Sequence, residues 1–164
     1  MESNKFKAVL GILRLSMGLI FLWAFVDKVW GLGFATAPES AWLAGGSPTS
    51  GFLQFGVHGP FASFFNSLAG SGLVDSLFML GLLFVGLTLT LGILVRLGAY
   101  VGALMLLLMY FAVGLPPEHH PFIDDHFVYF FVMLALTWYP AGKYFGLGRI
   151  WQNTLLVQRN RILE

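Results

Sequence analysis

The sequence predicts an all-α integral membrane protein, a single domain (residues 1–164) whose four transmembrane helices form a bundle. Of the 164 residues, 57% are apolar and only 10% are charged, whereas about 25% of residues are charged in an average soluble domain. The mean hydropathy of +0.79 leaves too little polar surface to cover a water-soluble fold. Four apolar segments approach the roughly 20 residues that a helix needs to cross a bilayer. They are about residues 8–32, 73–95, 97–115 and 125–142.

Two of the four segments carry further signals. The first is too long for a signal peptide, ends in Asp27 and Lys28, and lacks a small-residue cleavage site, so we expect it to be retained as a helix. The third contains Gly98 and Gly102, spaced by four and flanked by alanines, which permit a neighbouring helix to approach closely. All four are predicted to be helical because lipid offers no hydrogen-bond partner to an open backbone.

Lysine and arginine are distributed unevenly about the four segments. Eight of the nine lie on the side that holds both termini and the turn between the second and third helices. They are Lys5, Lys7, Arg14, Arg96, Lys143, Arg149, Arg159 and Arg161. The two loops on the other side hold Glu39, Glu118 and Asp124 but no Lys or Arg, and only Lys28 departs from the pattern. The positive-inside rule therefore predicts a multi-pass protein of the cell membrane with both termini in the cytoplasm.

Two regions outside the spans are predicted to be amphipathic. In the outer loop, residues 33–72, Pro60 fits the first position of a helix, and four apolar side chains then share one face. They are Phe61, Phe64, Phe65 and Leu68. The tail, residues 146–164, has an apolar side that holds Trp151, Leu155 and Ile162. We expect the loop helix to lie in the outer interface or to cap the bundle, and the tail to rest on the cytoplasmic membrane surface.

Three ionisable groups lie in the first helix, where each costs free energy at membrane depth. Arg14 and Lys28 face the same side because fourteen residues make nearly four turns, whereas Asp27 points about 100° away from Lys28. Arg14 either extends to the inner headgroups or faces inward, where it binds a polar headgroup or orders the bundle. Asp27 and Lys28 either form ion pairs with other bundle residues or, in the case of Lys28, contact a substrate.

The loop before the fourth helix is rich in acids and histidines. It contains Glu118, His119, His120, Asp124, Asp125 and His126. Asp124 is a natural N-cap, and two acids at a helix N-terminus are stabilised by the helix dipole. The histidines suit proton transfer at the outer surface because imidazole changes its charge near neutral pH. Their spacing matches no strong metal-ligand signature, so we predict no metal site.

Of the ionisable groups in the first helix and in the loop before the fourth, all except Arg14 lie at the outer end, among aromatic residues. These include Trp23, Trp30, Phe34, Trp42, Phe122, Tyr129 and Phe130. Such residues form either an aromatic belt at the membrane interface or the walls of a quinone site. The chain has no cysteine and no visible haem, flavin or metal motif. Its net charge of +1 provides no field to recruit nucleic acid.

Three stretches, in order along the chain, resemble a known family. Residues 13–28, LRLSMGLIFLWAFVDK, are similar to the first-helix signature of the DoxX/DoxD family of small membrane proteins. Residues 86–98, G-x5-G-x3-R-x-G, are similar to its helix 2–3 junction, and residues 122–129, FIDDH-x2-Y, resemble the segment that opens its last helix. The long outer loop looks more like the DoxD branch, the membrane subunit of thiosulfate:quinone oxidoreductase.

The resemblance implies an enzyme that oxidises thiosulfate to tetrathionate, or oxidises another small sulfur compound, at the outer face and reduces membrane quinone as co-substrate. It implies a small second subunit as partner, within a respiratory chain that includes further subunits. We assign catalysis to Asp27, Asp124, Asp125 and His126. We assign substrate binding to Arg14, Lys28 and His120, and quinone binding to Trp23 and Tyr129.

Two other functions fit the sequence. One is a non-catalytic membrane subunit or assembly scaffold of a larger respiratory complex, in which the polar groups form ion pairs. The other, ranked lowest, is a small-solute channel or transporter, since four helices are few for alternating access and no inverted repeat is evident. The arrangement of four residues at the outer end distinguishes these functions: Lys28, Asp27, Asp124 and His126. If they converge around an open cavity, the enzyme is favoured. If they form ion pairs with one another and leave no cavity, the scaffold is favoured.

Overall fold

The computed structural model describes residues 4–113, 115–117 and 120–163. In these ranges the regular structure is helical, without a β-strand. The α-helices are α1 (Asn4–Trp30), α2 (Ala62–Asn66), α3 (Gly72–Leu91), α4 (Val95–Val113), α5 (Asp125–Trp138), α6 (Gly148–Gln152) and α7 (Leu155–Arg159). Three of them, α1, α3 and α4, are long and apolar enough to cross a membrane. The prediction of an all-helical fold is thus confirmed for the described residues, and three of the predicted membrane-spanning helices have the required length and apolarity.

The predicted fourth span is shorter than expected. Helix α5 has 14 residues and ends at Trp138, four residues before the predicted end at residue 142. Its length is about 21 Å at 1.5 Å per residue. The helix stops because Pro140 disfavours helical backbone in the residue before it, and Tyr139 is accordingly extended (φ −105°, ψ 139°).

The long helices pack in chain order, α1 on α3, α3 on α4 and α4 on α5. One apolar core draws on all four helices, with Met17, Phe21, Met79, Val85, Ala103 and Met133 among its members. The predicted close packing of the third segment is confirmed. A Cβ on Gly98 would clash with Thr88 Oγ1 of α3, and one on Gly102 would lie 2.7 Å from the terminal methyl group of Met133 of α5.

Charged residues distinguish the two ends of the long helices. We call the end with Lys28, the outer loop and the start of α5 the Lys28 end, and the opposite end, with Arg14 and the α3–α4 turn, the Arg14 end. All five acids whose structure is described belong to the Lys28 end. They are Asp27, Glu39, Asp75, Asp124 and Asp125.

The loop between α1 and α3 folds into a compact layer at the Lys28 end. It contains turns of 3-10 helix at Pro38–Ser40 and Trp42–Ala44, a π-helical turn at Phe52–Gly56, and α2. The predicted helix after Pro60 is present but short, and of its apolar face only Phe65 is fully buried, whereas Phe61 and Phe64 are exposed. Phe65 joins Leu53, Val57 and Ala112 in a second apolar cluster, which attaches the loop to α4.

Asp75, in the first turn of α3, also fixes this loop. Its Oδ1 accepts hydrogen bonds from the Thr49 hydroxyl (2.6 Å), the Thr49 amide (3.1 Å) and the Ser47 hydroxyl (2.9 Å). An acid in the first turn of a helix is stabilised by the helix dipole, and Asp75 also anchors residues 47–49. This contact matters for the site because the same segment forms one wall of a cavity.

The tail is divided into short helical segments. It forms α6, α7 and a 3-10 turn at Arg161–Leu163. Trp151 is half-buried, and its indole donates to the Leu163 carbonyl (2.6 Å), whereas Leu155 is exposed. The tail therefore folds back on itself, which partly covers its predicted apolar side.

Candidate functional site

Arg14 is fully buried at the Arg14 end. Its Nη1 donates to the carbonyls of Leu89 and Thr90 at the end of α3, and its Nη2 donates to those of Tyr144 (2.9 Å) and Phe145 (3.0 Å). Only Nε lacks a hydrogen-bond partner among the described residues. The sequence predicts that Arg14 extends to the inner headgroups, binds a polar headgroup or orders the bundle. This geometry favours the last of these roles, because four of the five guanidinium donors already have protein acceptors.

Asp27 is almost completely buried near the end of α1. Its carboxylate accepts hydrogen bonds from the amides of Phe34 (3.3 Å) and Ala35 (2.9 Å), in the turn that follows the helix. Gly31, at φ +64°, lets the chain reverse so that these amides point back at the carboxylate. The structure thus gives Asp27 partners from its own loop and directs it away from the cavity that Lys28 lines.

Lys28 lines a cavity of about 530 Å³ between α3, α4 and the outer loop. Its volume is within the usual range for small-molecule sites, roughly 300–1,000 Å³. The walls are mainly apolar, with Phe52, Phe65, Phe78, Leu104, Met105 and Leu108 among them. Among the described residues, Lys28 is the one ionisable residue of the lining. It makes no hydrogen bond or salt bridge with a described residue, but it interacts electrostatically with the neighbouring Asp27 carboxylate. The lining thus combines one cationic residue with mainly apolar walls.

The acidic and histidine-rich segment forms a separate polar group at the start of α5. Asp124 caps the helix as predicted, since its Oδ1 accepts from the Phe127 amide (2.9 Å). Its Oδ2 lies 2.7 Å from Nδ1 of His126, which donates when it carries a proton. His120 Nδ1 accepts from the amides of Phe122 (3.1 Å) and Ile123 (3.0 Å). His120 thus stabilises the turn before the helix.

The remaining candidates are dispersed. Asp125 is exposed at the first position of α5, and Glu118 and His119 lie outside the described residues. Trp23 is exposed and stacks edge-to-face on Phe34 (5.1 Å between ring centroids). Tyr129 packs against the main core, and neither Trp23 nor Tyr129 lines the Lys28 cavity.

The structure therefore does not bring Lys28, which is assigned to substrate binding, together with the groups assigned to catalysis around this cavity. The cavity lining contains Lys28 but none of Asp27, Asp124, Asp125 or His126. The sequence does not predict the cavity walls, although the apolar face of residues 61–68 indicates that the loop lies in the outer interface or caps the bundle. No three His, Cys, Asp or Glu side chains cluster as metal ligands within the described part of the chain.

Removal of the Asp124 side chain is expected to weaken α5. Asp124→Ala deletes the N-cap and is expected to lower the free energy of unfolding by about 1 kcal/mol. Asp124→Asn keeps an acceptor for the Phe127 amide and is expected to recover most of that loss. Chemical denaturation in detergent, followed by tryptophan fluorescence, measures both. Equal destabilisation by the two variants would assign the effect to the charge and its His126 contact instead of the cap.

Comparison of the chain with known families, proteins and structures identified no similar protein. No family model matches the sequence, and neither curated proteins nor solved structures match it. The resemblance to the DoxX/DoxD family therefore stays a prediction, and the site is interpreted from its own geometry.

Proposed function

We propose that this chain is a quinone-binding membrane subunit of a quinone-linked oxidoreductase, with the quinone ring in the Lys28 cavity. The observation that carries the proposal is a largely apolar cavity of about 530 Å³ whose lining includes one lysine, Lys28. A quinone is a flat apolar ring with carbonyl oxygens, so it needs apolar walls and a hydrogen-bond donor. Phe52, Phe65 and Phe78 supply aromatic surface, and Lys28 supplies the donor.

The proposal places the helices across the membrane in four crossings, with both termini in the cytoplasm. The length and apolarity of α1, α3 and α4 support this arrangement. The fourth crossing is α5, whose length of about 21 Å is extended by residues 139–142. The separation of charge supports the orientation, because the described acids lie at the Lys28 end and most of the cations at the Arg14 end. The cavity then opens in the outer half of the membrane.

Lys28 suits the reduction of a quinone as well as its binding. Two electrons and two protons convert a quinone to a quinol, and negative charge grows on the oxygens as the electrons arrive. A nearby ammonium stabilises that charge more strongly than it stabilises the neutral carbonyl, which favours reduction. Asp124 and His126, hydrogen-bonded at the same end, are the proposed route for protons from the outer aqueous phase.

The sulfur substrate belongs outside the apolar cavity. In the reaction that the family resemblance implies, two thiosulfate ions join through a sulfur–sulfur bond to give tetrathionate and release the two electrons that the quinone takes. A dianion loses its hydration in an apolar space at a high cost in free energy. We therefore place thiosulfate, or another small sulfur compound, at the aqueous surface of the Lys28 end or on the second subunit.

Quinone retention tests the cavity directly. After extraction in mild detergent, mass spectrometry of the purified protein is expected to find membrane quinone, together with any second subunit. Lys28→Met keeps the apolar length of the side chain but removes the donor, and is expected to lower quinone retention roughly tenfold, which is about 1.4 kcal/mol. Thiosulfate-dependent quinone reduction is expected to be lost in the same variant while the protein still inserts. Full retention and activity would remove Lys28 from the site.

A second variant fills the cavity without touching the charge. Gly81 lies on the cavity wall, and a Cβ there would meet the flexible thioether of Met105 (2.6 Å), which can move aside. Gly81→Leu is expected to displace the quinone as strongly as Lys28→Met does. Leu80→Phe, on the exposed face of the same helix, is the control and is expected to leave retention unchanged. Normal retention in Gly81→Leu would place the quinone elsewhere.

The non-catalytic membrane subunit remains the second candidate, because the hydrogen bonding of three predicted site residues favours it. Arg14, Asp27 and Asp124 all have backbone partners, as expected for groups that hold the fold together. This alternative predicts co-purification with large respiratory subunits and no activity of the isolated chain. Quinone reduction by the purified protein with its small subunit alone would rule it out.

A further inference from the structure

A second cavity lies at the Arg14 end, away from the proposed quinone site. Its volume is about 470 Å³, and its lining combines the first two turns of α1 with residues 143–146 and the start of α6. Three of its lining residues are cationic, one from each of these segments. They are Lys7, Lys143 and Arg149. Residues separated by well over a hundred positions thus bring three positive charges to one cavity.

The three cations have no counter-charge in the described part of the chain. None of them forms a hydrogen bond or ion pair with a described side chain, and no acid lines the cavity. The described acids all lie at the opposite end of the helices. Like charges that share one concave surface repel each other, and their field attracts an anion into the cavity.

The cavity wall is held in place by the buried arginine. Arg14 donates to the carbonyls of Tyr144 and Phe145, which are themselves lining residues. These bonds attach the segment that carries Lys143 to α1, which carries Lys7. The two lysines are therefore positioned by the fold, and an anion that binds between them does not have to order the backbone first.

The surroundings of the cavity are apolar and exposed. Phe145, a lining residue, is 61% exposed, and Ile150, which follows Arg149 in the sequence, is 71% exposed. An aqueous anion gains nothing from such side chains, whereas a lipid places its phosphate on the cations and its acyl chains against the apolar groups. The combination of a basic cavity and an apolar border is what a phospholipid headgroup at a membrane surface would contact.

We propose that this cavity binds the phosphate headgroup of an anionic membrane phospholipid. The inference rests on the membrane orientation in the proposed function, which puts the Arg14 end at the cytoplasmic leaflet, and is independent of quinone chemistry. Lys7 and Lys143 contact the phosphate, and Arg149 contributes a third charge at the cavity edge. The bound lipid also neutralises the cluster that the fold creates.

Lipid retention by native mass spectrometry tests the site. The protein is released from vesicles that contain equal amounts of phosphatidylglycerol and phosphatidylcholine, and the lipid that stays bound is identified. The unmodified chain is expected to retain phosphatidylglycerol preferentially. The double variant Lys7→Gln/Lys143→Gln is expected to retain roughly tenfold less. Lys7→Arg/Lys143→Arg keeps both charges and is expected to retain the lipid, which separates loss of charge from loss of fold.

The matched control removes the same net charge outside the cavity. Lys5 and Arg159 are exposed and do not line it, so Lys5→Gln/Arg159→Gln is expected to retain lipid like the unmodified chain. Equal loss in both double variants would show diffuse attraction to the membrane surface and overturn the proposal. Displacement of the lipid by inorganic phosphate at comparable concentration would also overturn it, because the site would then recognise a free anion. Quinone retention is expected to be unchanged throughout, so failure of the two proposals is distinguishable.

Discussion

Replacement of Arg14 by methionine is expected to lower the free energy of unfolding by about 3–5 kcal/mol, because it removes four hydrogen bonds that each contribute roughly 1 kcal/mol. The guanidinium donates to four carbonyls that come from α3 and from residues 144–145, and it joins these two segments to α1. Methionine fills much of the space but leaves these acceptors without their donor. The cost is highest at the buried Leu89 carbonyl and lower at the partly buried contacts with Thr90, Tyr144 and Phe145. Arg14→Lys retains the charge but cannot reach both segments with one nitrogen, so its loss is expected to be intermediate.

Thermal unfolding in detergent, followed by circular dichroism, measures this effect. Arg159→Met makes the same chemical change on the exposed surface of α7 and is expected to shift the midpoint little. A small effect of Arg14→Met, similar to that of Arg159→Met, would mean that the arginine is held in place by the fold without stabilising it. The prediction also separates the two roles discussed for Arg14, because a residue that serves only to bind a headgroup would not affect the unfolding of lipid-free protein.

The predictable parts of the structure are those that local physics determines. Hydropathy and length predict α1, α3 and α4, because burying an apolar helix does not depend on which partner covers it. The cap at Asp124 follows from its position before an apolar run. Even the early end of α5 has a local cause, since Pro140 is visible in the sequence and its effect on Tyr139 is general.

The site depends on distant contacts that sequence patterns do not specify. The partners of Arg14 are carbonyls 75 to 131 positions away, and every residue has a carbonyl, so no residue type identifies them. Asp27 and Lys28 are neighbours in sequence but have different surroundings, because the turn after α1 supplies amides to one and the α3–α4 cavity adjoins the other. The cavity itself exists because Phe52 and Phe65 of the loop meet α3 and α4, and no local signal specifies that docking.

Alanine at Gly86 is expected to destabilise the protein by about 2 kcal/mol, within the range for inserting volume into a packed core. Helix α3 crosses α1 at Gly86, where an added Cβ would lie 2.8 Å from the backbone nitrogen and Cα of Leu22. Backbone atoms cannot turn aside as a flexible side chain can, so the two helices must separate. A loss of stability in Gly86→Ala would be diagnostic of the close crossing, because alanine in a helix is otherwise favoured over glycine by about 1 kcal/mol.

Gly72 provides the matched control in the same helix. A Cβ there meets no atom within 4 Å, so Gly72→Ala is expected to leave stability unchanged or slightly raised. Unfolding midpoints of the two variants, measured side by side in one detergent, isolate the cost of the crossing from the general preference of helices for alanine.

Gly18, on α1, makes the reciprocal approach to the backbone of Thr90, whose carbonyl binds Arg14. Separation of the helices at Gly86 is therefore expected to weaken the Arg14 contacts as well, and Gly86→Ala should destabilise less in an Arg14→Lys background than in the unmodified chain. Strictly additive losses would show that the crossing and the arginine stabilise the fold independently.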